Sequence, residues 1–363
     1  PRWIIEGLAT MEESDLSSQG RYRSALFDMF LRMAVLEGRF QPIDQFNSNA
    51  RVFPHGSSVY LYGLHFMHYL GMHYGRDKLA ELSHTYGKRL VPWGINRALE
   101  DVIGVDFDQA FEEFQSDSEL RFFAQARQIR ARGLRQGRRL TFTSASASSG
   151  QHTRYPVWSP DDQWLWFYED TGQRQAGLRR IPAEGSRIRE GLQIGNQGQS
   201  PDIQRMIDVE DSSLASFVGP NEDQIVFDMV ATHDFRYRWS DLYRWKGPDR
   251  RGREQLTFGM RARSPDVSPD GRSVVFVRND SGQSRIALLE LDTKITRELA
   301  PLDFVQQSND PDFDPSGRKI AYAAFREGGF QDIWVYDLDS ETRERITADR
   351  ALDSSPEWSS DGR

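Results

Sequence analysis

The chain contains no cysteine in 363 residues. That excludes disulfides, thiolate metal sites and cysteine nucleophiles. No run of 18 apolar residues occurs, so the sequence offers no membrane-spanning helix. None of its seven histidines, at positions 55, 65, 68, 73, 84, 152 and 233, is followed by Glu, and an H-E-x-x-H zinc motif is therefore absent. Nor is there an excess of positive charge: 46 basic against 54 acidic residues give a net charge of -8, which argues against nucleic acid as the main partner. The Arg-rich stretch from Arg127 to Arg139 runs against that balance and reads as a solvated face at the end of a helix. At 38% hydrophobic residues the chain can build the two domains that its length leads one to expect.

What the chain does have is a repeat. Trp158-Ser-Pro-Asp-Asp162 returns as Val267-Ser-Pro-Asp-Gly-Arg272, Phe313-Asp-Pro-Ser-Gly-Arg318 and Trp358-Ser-Ser-Asp-Gly-Arg363, with a worn copy at Val218-Gly-Pro-Asn-Glu-Asp223. The steps of 60, 49, 46 and 45 residues mark stacked supersecondary units. Each Pro-Asp-Gly-like step carries turn chemistry, because Pro fixes φ and Gly accepts φ > 0. An apolar strand-like run follows each turn: Trp164 to Tyr168, Ile225 to Phe227, Val274 to Val277 and Ile320 to Ala323. Second runs come later in each unit, at Leu178 to Ile181, Asp241 to Trp245, Ile286 to Leu291 and Asp332 to Tyr336, set off by polar hairpins such as Asn279 to Gly282 and Arg326 to Gly329. Four short strands per period of 45 to 50 residues is the arithmetic of a β-propeller blade.

The first 132 residues follow another rule. Apolar residues recur at helical spacing in segments closed by Gly: Trp3 to Glu13, Tyr22 to Gly38, Ser58 to Gly75, Asp77 to Gly87 and Phe107 to Arg132. Asp106 and Gln109 are placed as a capping box for the last of these. Between this helical region and the repeats lies a linker, residues 133–156, with the serine-rich Ser144-Ala-Ser-Ala-Ser-Ser-Gly150 in it.

Two helical motifs carry possible chemistry. In Pro1-Arg-Trp3-Ile-Ile-Glu6-Gly7-Leu8-Ala9 one carboxylate stands among apolar residues, where it serves either as a ligand or as an exposed Glu favoured by the helix dipole. The segment Ser57 to Leu70, with Tyr60 near its start, is apolar and aromatic almost all round and argues a buried helix. Its tyrosines read as core residues or as hydroxyl donors.

The repeats resemble the WD40-like (PD40) units of TolB-type propellers in their Ser-Pro-Asp-Gly turns, in the Gln255-Leu-Thr257 and Arg345-Ile-Thr347 segments and in Asp332-Ile-Trp-Val-Tyr-Asp-Leu338. That likeness covers roughly residues 139–363 and implies four blades and the start of a fifth. The helical motifs, with the closing segment Gly104 to Phe114, resemble the second half of a gluzincin metallopeptidase domain of the peptidase-MA-like kind. The resemblance implies Glu6 as the third zinc ligand, from a Trp-x-x-Glu-Gly-x-Ala segment, and Tyr60 as the hydroxyl that stabilises the tetrahedral oxyanion. It also implies an H-E-x-x-H helix upstream of Pro1, so the chain is expected to be an internal piece whose zinc would be bound by the longer parent and not by this piece. A hydrolase domain following the propeller, as in prolyl-oligopeptidase-like proteins, stays open.

The fold class expected is multidomain α + β: a partial, zincin-like helical domain in residues 1–132, then an incomplete all-β propeller in 139–363. Two functions follow. One is a zinc-dependent peptidase whose propeller binds a protein or peptide substrate. The other is a non-catalytic propeller that binds protein partners in the bacterial envelope. Either implies a periplasmic or secreted location. Other readings are weaker: His65 and His68 share a helix face that His73 leaves, and no nearby acid on that helix completes a metal set. Asn309 to Gly317 alternates carboxylates like a calcium loop but has Ala321 where Glu is needed, and it coincides with a blade turn. The arginine-aromatic stretch Ala231 to Trp239 is either a binding edge or an ordinary long hairpin.

Overall fold

Helical and strand-forming sequence fall into two compact units in a computed structural model, residues 1–137 and residues 138–363. It describes all residues except 17–19, 48–53, 90–93, 136, 139, 142–151, 171–174, 186–201, 213–214, 221, 248, 250–251, 300–306, 327–328 and 350. The serine-rich part of the expected linker and the centre of the Arg326 to Gly329 hairpin lie outside the described residues.

The first unit is built on α1 (Arg2–Leu16), α2 (Ala25–Leu36), α3 (Ser58–His73), α4 (Arg76–Gly87), α5 (Ile95–Ile103) and α6 (Phe107–Ala131). Helix α3 is its axle, with eleven of its sixteen residues buried, as a sequence apolar all round requires. Trp3 packs edge-on to Phe107 at 5.1 Å and against Phe66 at 5.3 Å, so α1 and α6 close over α3. Helix α2 is shorter than the sequence suggested. Arg21–Arg23 forms a single 3-10 turn, and Ser24 then caps α2 by accepting from the Phe27 amide at 3.4 Å. At α6 only half of the capping box forms: Asp106 accepts from the Gln109 amide at 2.8 Å, while the Gln109 side chain turns to Glu113 at 3.3 Å. Helix α5 was not expected. Its buried Ala98, Leu99 and Val102 form a stripe at helical spacing, and Gly104, at φ 84°, ends it.

One contact sets the position of α1. A Cβ on Gly7 would lie 2.4 Å from the Gly63 carbonyl oxygen, and a Cβ on Gly63 would lie 2.4 Å from the Trp3 carbonyl oxygen. The two helices thus meet backbone to backbone, and any side chain at either site would push them apart.

Among the described residues, the second unit is four antiparallel sheets of four strands in simple order. They are β1 (His152–Trp158), β2 (Trp164–Asp170), β3 (Gly177–Pro182) and β4 (Gln204–Asp208); β5 (Ala215–Phe217), β6 (Gln224–His233), β7 (Tyr237–Lys246) and β8 (Arg253–Gln255); β9 (Arg263–Val267), β10 (Ser273–Asp280), β11 (Gln283–Glu290) and β12 (Thr296–Glu298); and β13 (Ser308–Phe313), β14 (Lys319–Arg326), β15 (Phe330–Asp337) and β16 (Thr342–Arg345). Strand β1 takes in the last residues of the expected linker. Each repeat turn joins the first and second strands of its sheet. In the third sheet Ser268 donates to Asp270 at 2.7 Å and accepts from the Ser273 amide at 3.0 Å, with Gly271 at φ 71°. In the fourth, Asp314 takes the serine's place and accepts from the Arg318 and Lys319 amides, both at 2.8 Å.

Beyond Arg345 the chain returns to the fourth sheet. Leu352 bridges Gln331 in parallel, and Ser359-Ser-Asp-Gly-Arg363 repeats the turn, Ser359 donating to Asp361 at 2.5 Å. The threonines of the Leu-Thr and Ile-Thr segments act as latches: Thr257 accepts from the Leu242 amide at 2.9 Å and donates to buried Asp241 at 2.8 Å. Thr347 takes the Ile333 amide at 2.9 Å in the same way.

Successive sheets are tied at one equivalent position. Ser216 Oγ accepts the Val267 amide at 3.0 Å, Asp266 accepts the Phe313 amide at 2.8 Å, and Asp312 accepts the Trp358 amide at 2.8 Å. The grip, two residues ahead of the turn, thus joins the second sheet to the third, the third to the fourth, and the fourth to the segment that carries the last repeat turn. Ser216 also donates to Asp266 at 2.9 Å. Removal from water pushes the Asp266 carboxyl up to about 6, and desolvation plus the negative charge of Asp266 pushes Asp312 up to about 7.

The glycine contact generates the first expectation. Gly7→Ala should destabilise the helical unit by about 3 kcal/mol or more, because backbone is the obstacle, whereas Gly87→Ala, which meets nothing, should be neutral or stabilising. Urea unfolding followed at 222 nm distinguishes them, and equal midpoints for the two variants would refute the contact.

The ladder generates the second. The folded carboxyls hold protons that the unfolded chain has already lost, so their contribution is present at low pH and is lost as pH rises through about 6 and 7. Stability of the sheet unit should fall by on the order of 2 kcal/mol between pH 5 and pH 8. In Asp312→Asn, which keeps an acceptor but cannot ionise, that fall should shrink. Guanidinium unfolding read by tryptophan fluorescence checks it.

Candidate functional site

The close crossing of α1 and α3 decides what their neighbouring residues can reach. Glu6 precedes Gly7 and Tyr60 lies one turn before Gly63, so the contact brings both to the same edge of the helical unit. Arg2 spans them, its Nε donating to Glu6 at 3.2 Å and its Nη2 lying 3.4 Å from the Tyr60 hydroxyl. Arg21 covers the Tyr60 ring, guanidinium to centroid 4.8 Å, and is itself held by Glu13 through two hydrogen bonds of 2.9 and 2.5 Å. Glu6 is neither buried among apolar groups nor free in solvent: its side chain is 28% exposed and ion-paired one turn back. Tyr60 is half-buried and packs its ring on the main core.

The two residues singled out in the sequence therefore stand together, with two arginines that sequence reasoning did not include. The spacing of Arg2 and Glu6, four residues apart on one helix, was the available signal for the first. Nothing in the sequence marked Arg21.

The arrangement can hold a negative charge near Tyr60, and by itself it does not make a zinc site. Glu6 supplies a single carboxylate already paired with Arg2, and among the described residues no group of three or more His, Cys, Asp or Glu side chains is placed to hold a metal ion.

The helical histidines go elsewhere. His65 is buried, and desolvation brings its pKa down to about 3, so the imidazole is neutral, and among the described residues its Nε2 has no hydrogen-bond partner. His68 stacks on Tyr22 at 3.9 Å, and burial lowers its pKa as well. Both line a cavity of about 180 Å³ with Asp117, Ser118 and Arg121. His73 stacks on Tyr69 away from them, as the helical spacing required. A larger apolar hollow, about 730 Å³ and lined by Met29, Phe30, Met33, Phe40 and Pro42, includes neither Glu6 nor Tyr60.

In the sheet unit the carboxylates of Asn309 to Gly317 are spent on backbone and hydroxyl donors: Asp310 accepts from Ser355, Asp312 from Trp358 and Asp314 from its own turn. That is the structural-turn reading. The stretch Ala231 to Trp239 is no loose loop but the continuation of β6 and β7 to a tight turn, paired as far as His233 and Tyr237.

Residues 260–363, the third and fourth sheets with the turn that follows, match the TolB beta propeller domain. These last 104 residues are similar to a TolB-type β-propeller domain. The Tol-Pal system protein TolB of Anaeromyxobacter dehalogenans (strain 2CP-C) is 31% identical over 109 residues, 30% of this chain and 24% of that protein. The protein of the same name from Alcanivorax borkumensis is 36% identical over 52 residues, 14% of this chain and 12% of its own length. The chain thus spans a quarter or less of the curated relatives it matches. Among solved structures, TolB from Acinetobacter baumannii has a TM-score of 0.37 at 18% identity, covering 58% of this chain and 57% of that one. A puromycin-hydrolyzing peptidase of Mycobacterium tuberculosis has a TM-score of 0.42 at 15% identity, covering 55% and 30%.

Proposed function

We propose that the propeller of this chain is a protein-binding module of the bacterial envelope. The observation that carries the reading is the coincidence of the TolB beta propeller match with sheets that are tied edge to edge by the Ser216, Asp266 and Asp312 ladder. Rigid stacked blades present their connecting loops as fixed surface, which suits recognition of a protein or peptide. Produced with an added export leader and an affinity tag in a Gram-negative host and treated in the periplasm with a short cross-linker, the chain should give discrete cross-linked protein species. Recovery from the periplasm as uncross-linked monomer would overturn the reading.

A second reading attaches to the helical unit, where Glu6 and Tyr60 stand side by side within reach of Arg2. In a longer protein with an H-E-x-x-H helix, this unit would be the second half of a peptidase-MA-like domain, Glu6 serving a zinc ion and Tyr60 donating a hydrogen bond to the oxyanion. Tyr60→Phe in that protein should lower peptide hydrolysis by roughly 10²- to 10³-fold with metal content unchanged, the usual loss for one oxyanion donor. Glu6→Ala should lower metal content and activity together. Wild-type turnover in Tyr60→Phe would reject the catalytic role.

A further inference from the structure

The hairpin joining β6 and β7 is built at a cost that its own fold does not repay. Both strands run ten residues, against eight in the corresponding strands of the third and fourth sheets, so the tip projects about 7 Å further. The Arg236 amide donates to the His233 carbonyl at 3.1 Å and closes a turn whose central residues, Asp234 at φ 49° and Phe235 at φ 58°, are both left-handed. Such a turn asks for Asn-Gly or Asp-Gly, and a bulky residue at positive φ is strained. Phe235 pays this strain with its whole side chain in water, at 102% relative exposure.

The shaft below the tip is stiffened. His233 lies flat on Trp239, with ring centroids 4.0 Å apart and planes within 4°; Tyr237 continues the stack and is 58% exposed. The stack covers His233 Nε2 and Trp239 Nε1, and among the described residues neither has a hydrogen-bond partner, a further cost. Arg236 stands exposed at the tip and Arg261 lies 5.9 Å from the Trp239 ring; neither forms an ion pair among the described residues. Arg238 is paired with Glu210, and Asp234 stands exposed beside Phe235, so two unpaired arginines face one carboxylate and the balance at the tip is positive on a chain whose net charge is -8.

We propose that this hairpin is a docking finger for an acidic partner protein, Phe235 entering an apolar pocket and Arg236 and Arg261 meeting carboxylates on its rim. The inference rests on the protein-binding reading of the propeller and narrows it to one surface and one partner chemistry. Tyr, Trp and Arg within seven residues form the composition of an interface hot spot, and stacking them beforehand removes ordering cost from binding. A lipid surface fits less well. A single aromatic tip is one weak anchor, stable attachment takes a second, and a net charge of -8 denies attraction to anionic lipid.

The decisive variant is Phe235→Gly, which restores the Asp-Gly turn. It should raise the unfolding midpoint of the full chain or leave it unchanged, so that any loss of binding cannot be attributed to misfolding. The probe is a displayed library of twelve-residue peptides, each with paired Asp or Glu flanking two randomised apolar positions, selected on the immobilised full chain in about 50 mM salt. Selected peptides should bind Phe235→Gly at least tenfold more weakly than wild type, bind Arg236→Glu more weakly as well, and weaken as salt is raised. Selected peptides that bind Phe235→Gly as well as wild type would overturn the finger while leaving the propeller a protein binder elsewhere. A library that yields no binder to wild type would overturn it also, and the envelope cross-linking result would then stand or fall separately. Two other outcomes would reassign the finger: Phe235-dependent co-sedimentation with phosphatidylserine vesicles to a lipid, and Phe235-dependent dimerisation in sedimentation velocity to a second copy of this chain.

Discussion

A four-stranded antiparallel sheet with two apolar faces has no stable existence alone, and the sheet unit answers this with one repeated hydrogen bond. From the second sheet on, the side chain two residues before the turn, Ser216, Asp266 or Asp312, takes the backbone amide of Val267 in β9, Phe313 in β13 or Trp358 ahead of the last repeat turn. Burial then follows from the spacing it enforces. Val226 and Leu242 pack with Val274, Phe276 and Leu289 between the second and third sheets, and Val275, Ile286 and Leu288 pack with Phe313, Ile320 and Tyr322 between the third and fourth. A hydrogen bond to a charged or partly charged acceptor contributes about 1.5–3 kcal/mol net, and here each also fixes the angle at which two apolar faces meet. The use of carboxylates for this purpose carries the desolvation that raises their proton affinity, so the same groups that align the blades make the alignment sensitive to pH.

The helical unit is organised by the opposite device, an absence of side chain. Gly7 and Gly63 let α1 lie on α3 with backbones in contact. Trp3 then enters the aromatic cluster of Phe46, Phe66 and Phe107. The contact of Arg2 with the Tyr60 hydroxyl follows from this approach, whereas the Arg2–Glu6 pair is made within α1 itself.

The sheet unit was legible because its repeat is written in turn residues, and turn residues act locally: Pro269, Asp270 and Gly271 do in space what their chemistry announces. Its ladder was not legible. Ser216, Asp266 and Asp312 share a position and not an identity, and their partners lie 46 to 51 residues away, where one sequence without relatives gives no signal. In the helical unit the long periodic segments could be read, whereas α5, nine residues with three buried positions, is too short for its period to stand out. Glu6 and Tyr60 could be picked from motif likeness, but their company could not. Arg21 comes from a 3-10 turn whose direction is set by tertiary packing, and a side chain placed that way has no local signature.

The glycine contact also changes how the segment Trp3-Ile-Ile-Glu6-Gly7-Leu-Ala9 should be read wherever it occurs. Two of its marked letters are matters of volume: Trp3 fills the core and Gly7 admits the neighbouring helix. Stability alone would keep both letters in place whatever the segment does, while Glu6, at the rim and paired with Arg2, answers to neither volume. The pattern thus records a helix crossing first.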